Sequence, residues 1–192
     1  MAARIQSSGI DIRIERLVEA DACQVSAFTC GNQELDHFFH NELFLCADNH
    51  YLSIYCAKSL GGELLAIFTL ANDSIVLTDY EDKDDFIIDA SCRINESYVD
   101  IFNKQSMFPA VNIGHLGVSE PFQNHGIGSQ IIDFVADTFR EYDLSGCQFI
   151  TVDALNTNAV KRFYTKRYFV RLASSDEGNP TVRMYFTLDL LR

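Results

Sequence analysis

Gln123-Asn124-His125-Gly126-Ile127-Gly128 lies between an apolar strand and an amphipathic helix, and its reading decides the fold. Upstream, Ala110-Val111-Asn112-Ile113-Gly114-His115-Leu116-Gly117-Val118 has the composition of a strand interrupted by small residues. Downstream, Ile131, Ile132, Val135, Phe139 and Tyr142 recur at helical spacing and predict one apolar stripe. A strand, a glycine-bearing turn and a helix N-terminus together present several backbone N–H groups to an anion. Glycine at 126 and 128 lets a phosphate approach the main chain without meeting a Cβ. The segment predicts a pyrophosphate cradle.

Two familiar cradles are excluded by residue identity. No Lys follows Gly128, as a P-loop requires, and Ile131 stands where the dinucleotide fingerprint needs its third glycine. What remains is Gln-x-x-Gly-x-Gly. Beyond the helix, residues 148–153 alternate as a strand, and Asn156, Ala159, Phe163, Tyr164 and Phe169 follow at set intervals. These two motifs, in this order and one helix and one strand apart, resemble the GNAT superfamily of N-acetyltransferases, which bind acetyl-coenzyme A. One position departs from the family pattern: Tyr168 stands where a glycine is usual, which leaves the ending of the local helix open.

Phe28-x-Cys30-Gly31-Asn32-x-x-Leu35-Asp36-x-Phe38, with Pro109, Ile113-Gly114, Leu116, Gly117 and Val118, resembles a narrower bacterial subgroup. That subgroup holds stand-alone acetyltransferases and toxins of toxin–antitoxin pairs that acetylate aminoacyl-tRNA. The resemblance covers roughly residues 28–39 and 109–169. It implies one α/β (α+β) domain over 1–192, with a mixed, mostly antiparallel sheet and helices on both faces. Its fourth and fifth strands would splay apart to admit the thioester arm. The cofactor-binding core would be about 109–170, with an atypical segment at about 72–108 beside the acceptor site.

The resemblance also implies roles. Backbone groups of Leu116, Gly117 and Val118 would pair with the pantetheine arm. Gln123, Asn124, His125, Gly126, Ile127, Gly128 and Ser129 would form the pyrophosphate turn, and Asn156 and Phe163 would contact the cofactor. Tyr164 matches the family tyrosine near the sulfur and would be the general acid. The base is open, because residues 110–118 contain no carboxylate. Asn112 can position a water, His115 has a suitable intrinsic pKa, and Asp153 and Glu120 are weaker candidates. A water relay or an already neutral amine is the default. Cys147 precedes the fifth strand, which disfavours a covalent route.

Composition agrees with a compact enzyme. The chain has 192 residues, 47% of them hydrophobic, enough for one sizeable core. No apolar run approaches a membrane span, and no signal peptide is apparent. Six scattered cysteines without a C-x-x-C pair fit free thiols in the cytoplasm and no zinc site. The formal charge is −12, and it belongs to the first half: residues 1–100 hold 18 acidic against 6 basic residues. The densest run, 79–85, reads as a solvated loop, with a lure for a cationic amine as the sharper reading. Such a surface disfavours nucleic acid, although Lys161, Arg162, Lys166, Arg167 and Arg171 form a local basic cluster. The expected activity is acetyl transfer from acetyl-CoA to a primary amine in a ternary complex, without a metal. The alternatives are an aminoacyl-tRNA-directed toxin and a non-catalytic acyl-CoA-binding regulator, and a homodimer is compatible with either.

Overall fold

The computed structural model describes residues 3–5, 10–77, 80–172 and 178–188. The chain forms two compact units, Met1–Ala71 with Ile113–Val135, and Asn72–Asn112 with Ala136–Arg192. Two strands, β4 (Leu64–Ile75) and β5 (Phe108–Val118), contribute residues to both.

In the first unit the strand order is β1 (Ala3–Ile5), β2 (Ile12–Arg16), β3 (Ser53–Ser59), β4, β5, with antiparallel pairing from β1 to β4. Apolar alternation over residues 10–17 reads as a strand, and β2 forms there; the shorter β1 precedes it, and three residues are too few to show a period-2 pattern. Ile12 and Ile14 are fully buried between the exposed Arg13 and the half-buried Glu15, as alternation requires. Three helices follow β2: α1 (Ala22–Ser26), α2 (Gln33–Asn41) and α3 (Leu43–Asp48). Asn32 stands just ahead of the apolar Leu35, Phe38 and Phe39, a cap position, and it caps α2, its Oδ1 accepting the Leu35 N–H at 2.9 Å. Phe39 buries in a core with Phe28, Leu43, Ile54 and Ile67. It crosses β5 so closely that a Cβ at Gly117 would lie 2.6 Å from its ring. Gly117 is therefore a packing requirement. The helix expected after the glycine turn is α6 (Ile127–Arg140), and Ile127, Ile131, Ile132 and Val135 are buried along it.

In the second unit the order is β4, β5, β6 (Phe149–Leu155), β8 (Thr181–Thr187), β7 (Val170–Arg171). Strands β6 and β8, and β7 and β8, are antiparallel, whereas β5 and β6 are neighbours joined through α6, the crossover of a parallel pair. The sheet is mixed, as expected. Residues 182–190 read as a last strand; β8 ends at Thr187, and residues 189 and 190 lie outside the described residues. Tyr142 falls beyond the end of α6 and is 42% exposed, so the helical stripe stops at Phe139.

The atypical segment corrects the sequence reading. The acidic run expected as a loop is largely the start of α4 (Tyr80–Ser91), while residue 79 lies outside the described residues. Phe86 and Ala90 of α4 are buried, and Phe86 packs on Phe102, Phe108, Phe149 and Tyr185. The apolar residues of α4 are too sparse for a clear period, so an aromatic core not visible in sequence decides the helix. Residues 94–102, weakly helical in sequence, form a 3₁₀ turn at Glu96–Tyr98 and a short α5 (Val99–Phe102).

The last helix, α7 (Asn158–Thr165), shows how a tyrosine replaces the usual glycine. Tyr168 has φ +64°, the left-handed conformation. Phe169 N–H donates to Tyr164 O at 3.1 Å and Tyr168 N–H to Thr165 O at 3.0 Å, the paired bonds of a Schellman cap. The accompanying apolar contact is Phe169 on Tyr164, ring centroids 5.3 Å apart. The Tyr168 ring is 72% exposed and contributes little burial. Tyr168→Gly is therefore expected to stabilise the fold by about 1 kcal/mol, the left-handed penalty less the glycine entropy. That should raise Tm by about 2–4 °C in a thermal melt; a lower Tm would contradict it.

Candidate active site

In the first unit the signature turn has the backbone its residues predict. Asn124 has φ +63° and Gly126 φ +81°, the region that Asn tolerates and Gly occupies freely. A Cβ added at Gly126 would meet nothing within 4 Å, so glycine serves the conformation and leaves the space before it open. Among the described residues, no acceptor within the protein takes the N–H groups of 124–129. These donors stand at the N-terminus of α6, where its macrodipole is positive. An acceptor-rich, anionic group fits this turn.

The turn is held from behind. Gln123 Nε2 donates to Cys30 O at 2.8 Å and to Val118 O at 3.1 Å. Cys30 belongs to a loop braced by Asp36, whose carboxylate accepts Cys30 N–H at 2.8 Å and Thr29 O–H at 2.7 Å. Burial would raise the Asp36 pKa, but these hydrogen bonds outweigh it and hold the carboxyl below its usual range. Glu120 N–H donates to Thr29 O at 3.1 Å. Gln123, expected as a cofactor contact, spends its amide nitrogen as a brace, and the motif at 28–38 supplies what it braces against. The motif's role as a brace is invisible in sequence, because its partner Gln123 lies 93 positions away from Cys30.

His115 stacks on Phe38 of α2, centroids 3.6 Å apart and planes 7° from parallel. Thr69 Oγ1 accepts His115 N–H at 3.0 Å and lies 3.1 Å from Nδ1. The Thr69 hydroxyl has a proton to give and a second lone pair to offer, so it engages Nδ1 in either tautomer. Burial lowers the His115 pKa, only partly opposed by Glu42, so the ring is neutral at pH 7. The linkage follows from that sign. The unfolded state takes up the proton first, so this residue costs stability as pH falls below about 6.5. A His115→Gln variant should lose less Tm than the parent between about pH 7 and 5. Parallel slopes in melts across that range would refute the assignment.

In the second unit Tyr164 is almost wholly buried, its ring edge-on to Phe163 at 5.0 Å and to Phe169 at 5.3 Å. Burial pushes its phenol pKa well up, so the O–H proton is present at any physiological pH. Asn156 is fixed through both ends of its amide: Nδ2 donates to Asn179 O at 2.9 Å and Oδ1 accepts from Lys161 Nζ at 2.7 Å. Asn112 donates from Nδ2 to Thr151 Oγ1 at 3.1 Å. The Cys147 thiol is pushed up to about 11, chiefly by burial, which leaves it a poor nucleophile. The expected residues thus fall into two groups, 115–129 in the first unit and Asn112, Asn156, Phe163 and Tyr164 in the second. No group of three or more potential metal ligands occurs among the described residues.

Residues 90–169 match the model of the acetyltransferase (GNAT) family. Over that stretch the chain is similar to GNAT acetyltransferases. Solved structures agree with the GNAT fold over nearly the whole chain. A Tyr-to-Phe variant of KacT superposes with TM-score 0.70 at 19% identity, covering 92% of this chain and 95% of that one. AtaT in complex with acetyl-methionyl-tRNAfMet gives 0.68 at 20% identity, with 92% and 95% covered. AtaTR bound with acetyl-CoA gives 0.65 at 21%, with 93% and 94% covered. No curated protein matches the chain in sequence. The expected fold class is the one these GNAT structures share. No helix among the described residues is long and apolar enough to cross a membrane.

Proposed function

We propose that this chain is a GNAT acetyltransferase that moves an acetyl group from acetyl-CoA to a primary amine by direct attack, with residues 1–192 as one acetyltransferase domain. The observation that carries the reading is the turn at 124–129, whose N–H groups have no protein acceptor among the described residues and whose Gly126 leaves open space. Acetyl-CoA supplies the acyl group as a thioester, and the turn would hold its pyrophosphate. Leu116, Gly117 and Val118 would pair with the pantetheine arm through their backbone, with Asn156 and Phe163 as further cofactor contacts. Tyr164, protonated through its burial, would donate to the departing thiolate as the carbon–sulfur bond breaks and the carbon–nitrogen bond forms. The amine's proton would leave through water. His115 Nδ1 is engaged by Thr69, so we assign that ring to holding α2 rather than to proton transfer.

The acidic balance of residues 1–100 favours a cationic acceptor in a reducing cytoplasm. One observation favours a second reading: AtaT, of the same fold, has been solved with acetyl-methionyl-tRNAfMet. On that reading an aminoacyl-tRNA amine would be the acceptor. Thiol release from acetyl-CoA against a panel of small amines, peptides and aminoacyl-tRNA separates the two. Turnover with small amines or peptides supports the main reading, turnover with aminoacyl-tRNA alone the second. Cofactor binding without any turnover would leave a non-catalytic acyl-CoA regulator.

A further inference from the structure

The second unit contains a hydrogen-bonded chain that gives Asn112 a fixed orientation. Asn112 Nδ2 lies 3.1 Å from Thr151 Oγ1 and 3.4 Å from Thr151 O on β6. A backbone carbonyl only accepts, so the amide nitrogen must face Thr151 and the amide oxygen must face away. The Thr151 hydroxyl accepts from Asn112 and donates its proton to Asp73 Oδ2 on β4, because a carboxylate only accepts. Asp73 Oδ2 also accepts from Arg183 Nη2 on β8, and Arg183 Nη1 donates to Asp153 Oδ2 at 2.7 Å. Four strands thus supply one network in which every donor has a set direction. Thr151 has no exposed surface, so its hydroxyl has no water to turn to.

We infer that Thr151, backed by Asp73, is a positioning residue that presents Asn112 Oδ1 as the hydrogen-bond acceptor for the attacking amine. This rests on the acetyl-transfer reading above. A neutral amine must aim its lone pair at the thioester carbon, and an acceptor on one of its N–H groups sets that direction. An amide oxygen is too weak a base to take the proton, which fits the absence of a carboxylate on β5 between 108 and 118.

Thr151→Val keeps the branched shape and removes the hydroxyl, whereas Thr151→Ser keeps the hydroxyl and removes a methyl group. Steady-state kinetics use the full chain, acetyl-CoA and the best amine of the panel. The Val variant should lose at least about tenfold in kcat/KM for the amine with KM for acetyl-CoA within about twofold, and Ser should recover most of the loss. Asp73→Asn, at a side chain 20% exposed and easier to replace, should show the same split if Val does not fold. A Val variant as active as the parent, or a Ser variant as impaired as Val, overturns the inference while leaving acetyl transfer standing. A parent chain that turns over no amine overturns the proposed function, and this inference with it.

Discussion

Tyr164→Phe is expected to lower kcat by about 10²–10⁴-fold while leaving acetyl-CoA affinity within about twofold. The ring is held by Phe163 and Phe169, and both contacts are made by carbon atoms that Phe also has. The cap that follows α7 is built from backbone atoms of 164–169, so the substitution leaves it intact. Only the hydroxyl is lost. Because burial holds that phenol protonated, its contribution belongs to the step in which the thiolate leaves, and the loss should appear in kcat. Isothermal calorimetry with coenzyme A and thiol-release kinetics measure the two quantities separately. An unchanged kcat would remove Tyr164 from the chemistry and favour a cofactor-binding regulator. A parallel loss of affinity would mean that the hydroxyl serves binding instead.

Lys58→Met should have the largest effect on stability, about 3–5 kcal/mol, or about 10 °C in Tm for a chain of this size. Lys58 Nζ lies 2.6 Å from Asp21 Oδ1 and 2.9 Å from Glu15 Oε1. Lys58 and Asp21 are 7% and 6% exposed, so removing the cation strands a buried carboxylate whose remaining partner is the Val18 N–H at 3.1 Å. Burial alone would raise the Asp21 pKa, but the Lys58 and Val18 hydrogen bonds and the lysine charge overcome it and hold it low. Burial would likewise lower Lys58, and its two carboxylate partners hold it up. The signs set a pH window. Asp21 contributes stability above its ordinary carboxylate range, and that part is lost on acidification; Lys58 contributes below its ordinary range near 10.5, and that part is lost as pH rises beyond it. The Tm gap between parent and variant should therefore be widest near neutrality and narrow below about pH 4. The double variant Lys58→Met with Asp21→Leu should recover most of the loss, since paired burial roughly breaks even with apolar packing. A single variant within 2 °C of the parent at neutral pH would show the pair to be inert.

The local features of this chain were legible where one backbone conformation or one periodicity admits few residue types. The Asn32 cap, the glycine turn at 126 and the buried stripe of α6 are of this kind. The expectation failed where a distant partner decided the outcome. The acidic start of α4 reads as a solvated loop because its partners, Phe108, Phe149 and Tyr185, lie far off in sequence. Tyr168 in a glycine conformation was unreadable for a related reason: the Schellman bonds and the Phe169–Tyr164 contact impose it against local preference.

By itself, the order of residues determined the strand–turn–helix unit and the acceptor-seeking amides of 124–129, because main-chain geometry follows from glycine placement and apolar spacing. Only tertiary structure decided which polar side chains are spent as braces and which face outward. Gln123 turns to Cys30, His115 to Thr69 and Phe38, and Asn112 to Thr151 and so to Asp73. Those pairings join residues up to 93 positions apart, and a buried polar group takes whatever partner the folded sheet brings within hydrogen-bond reach.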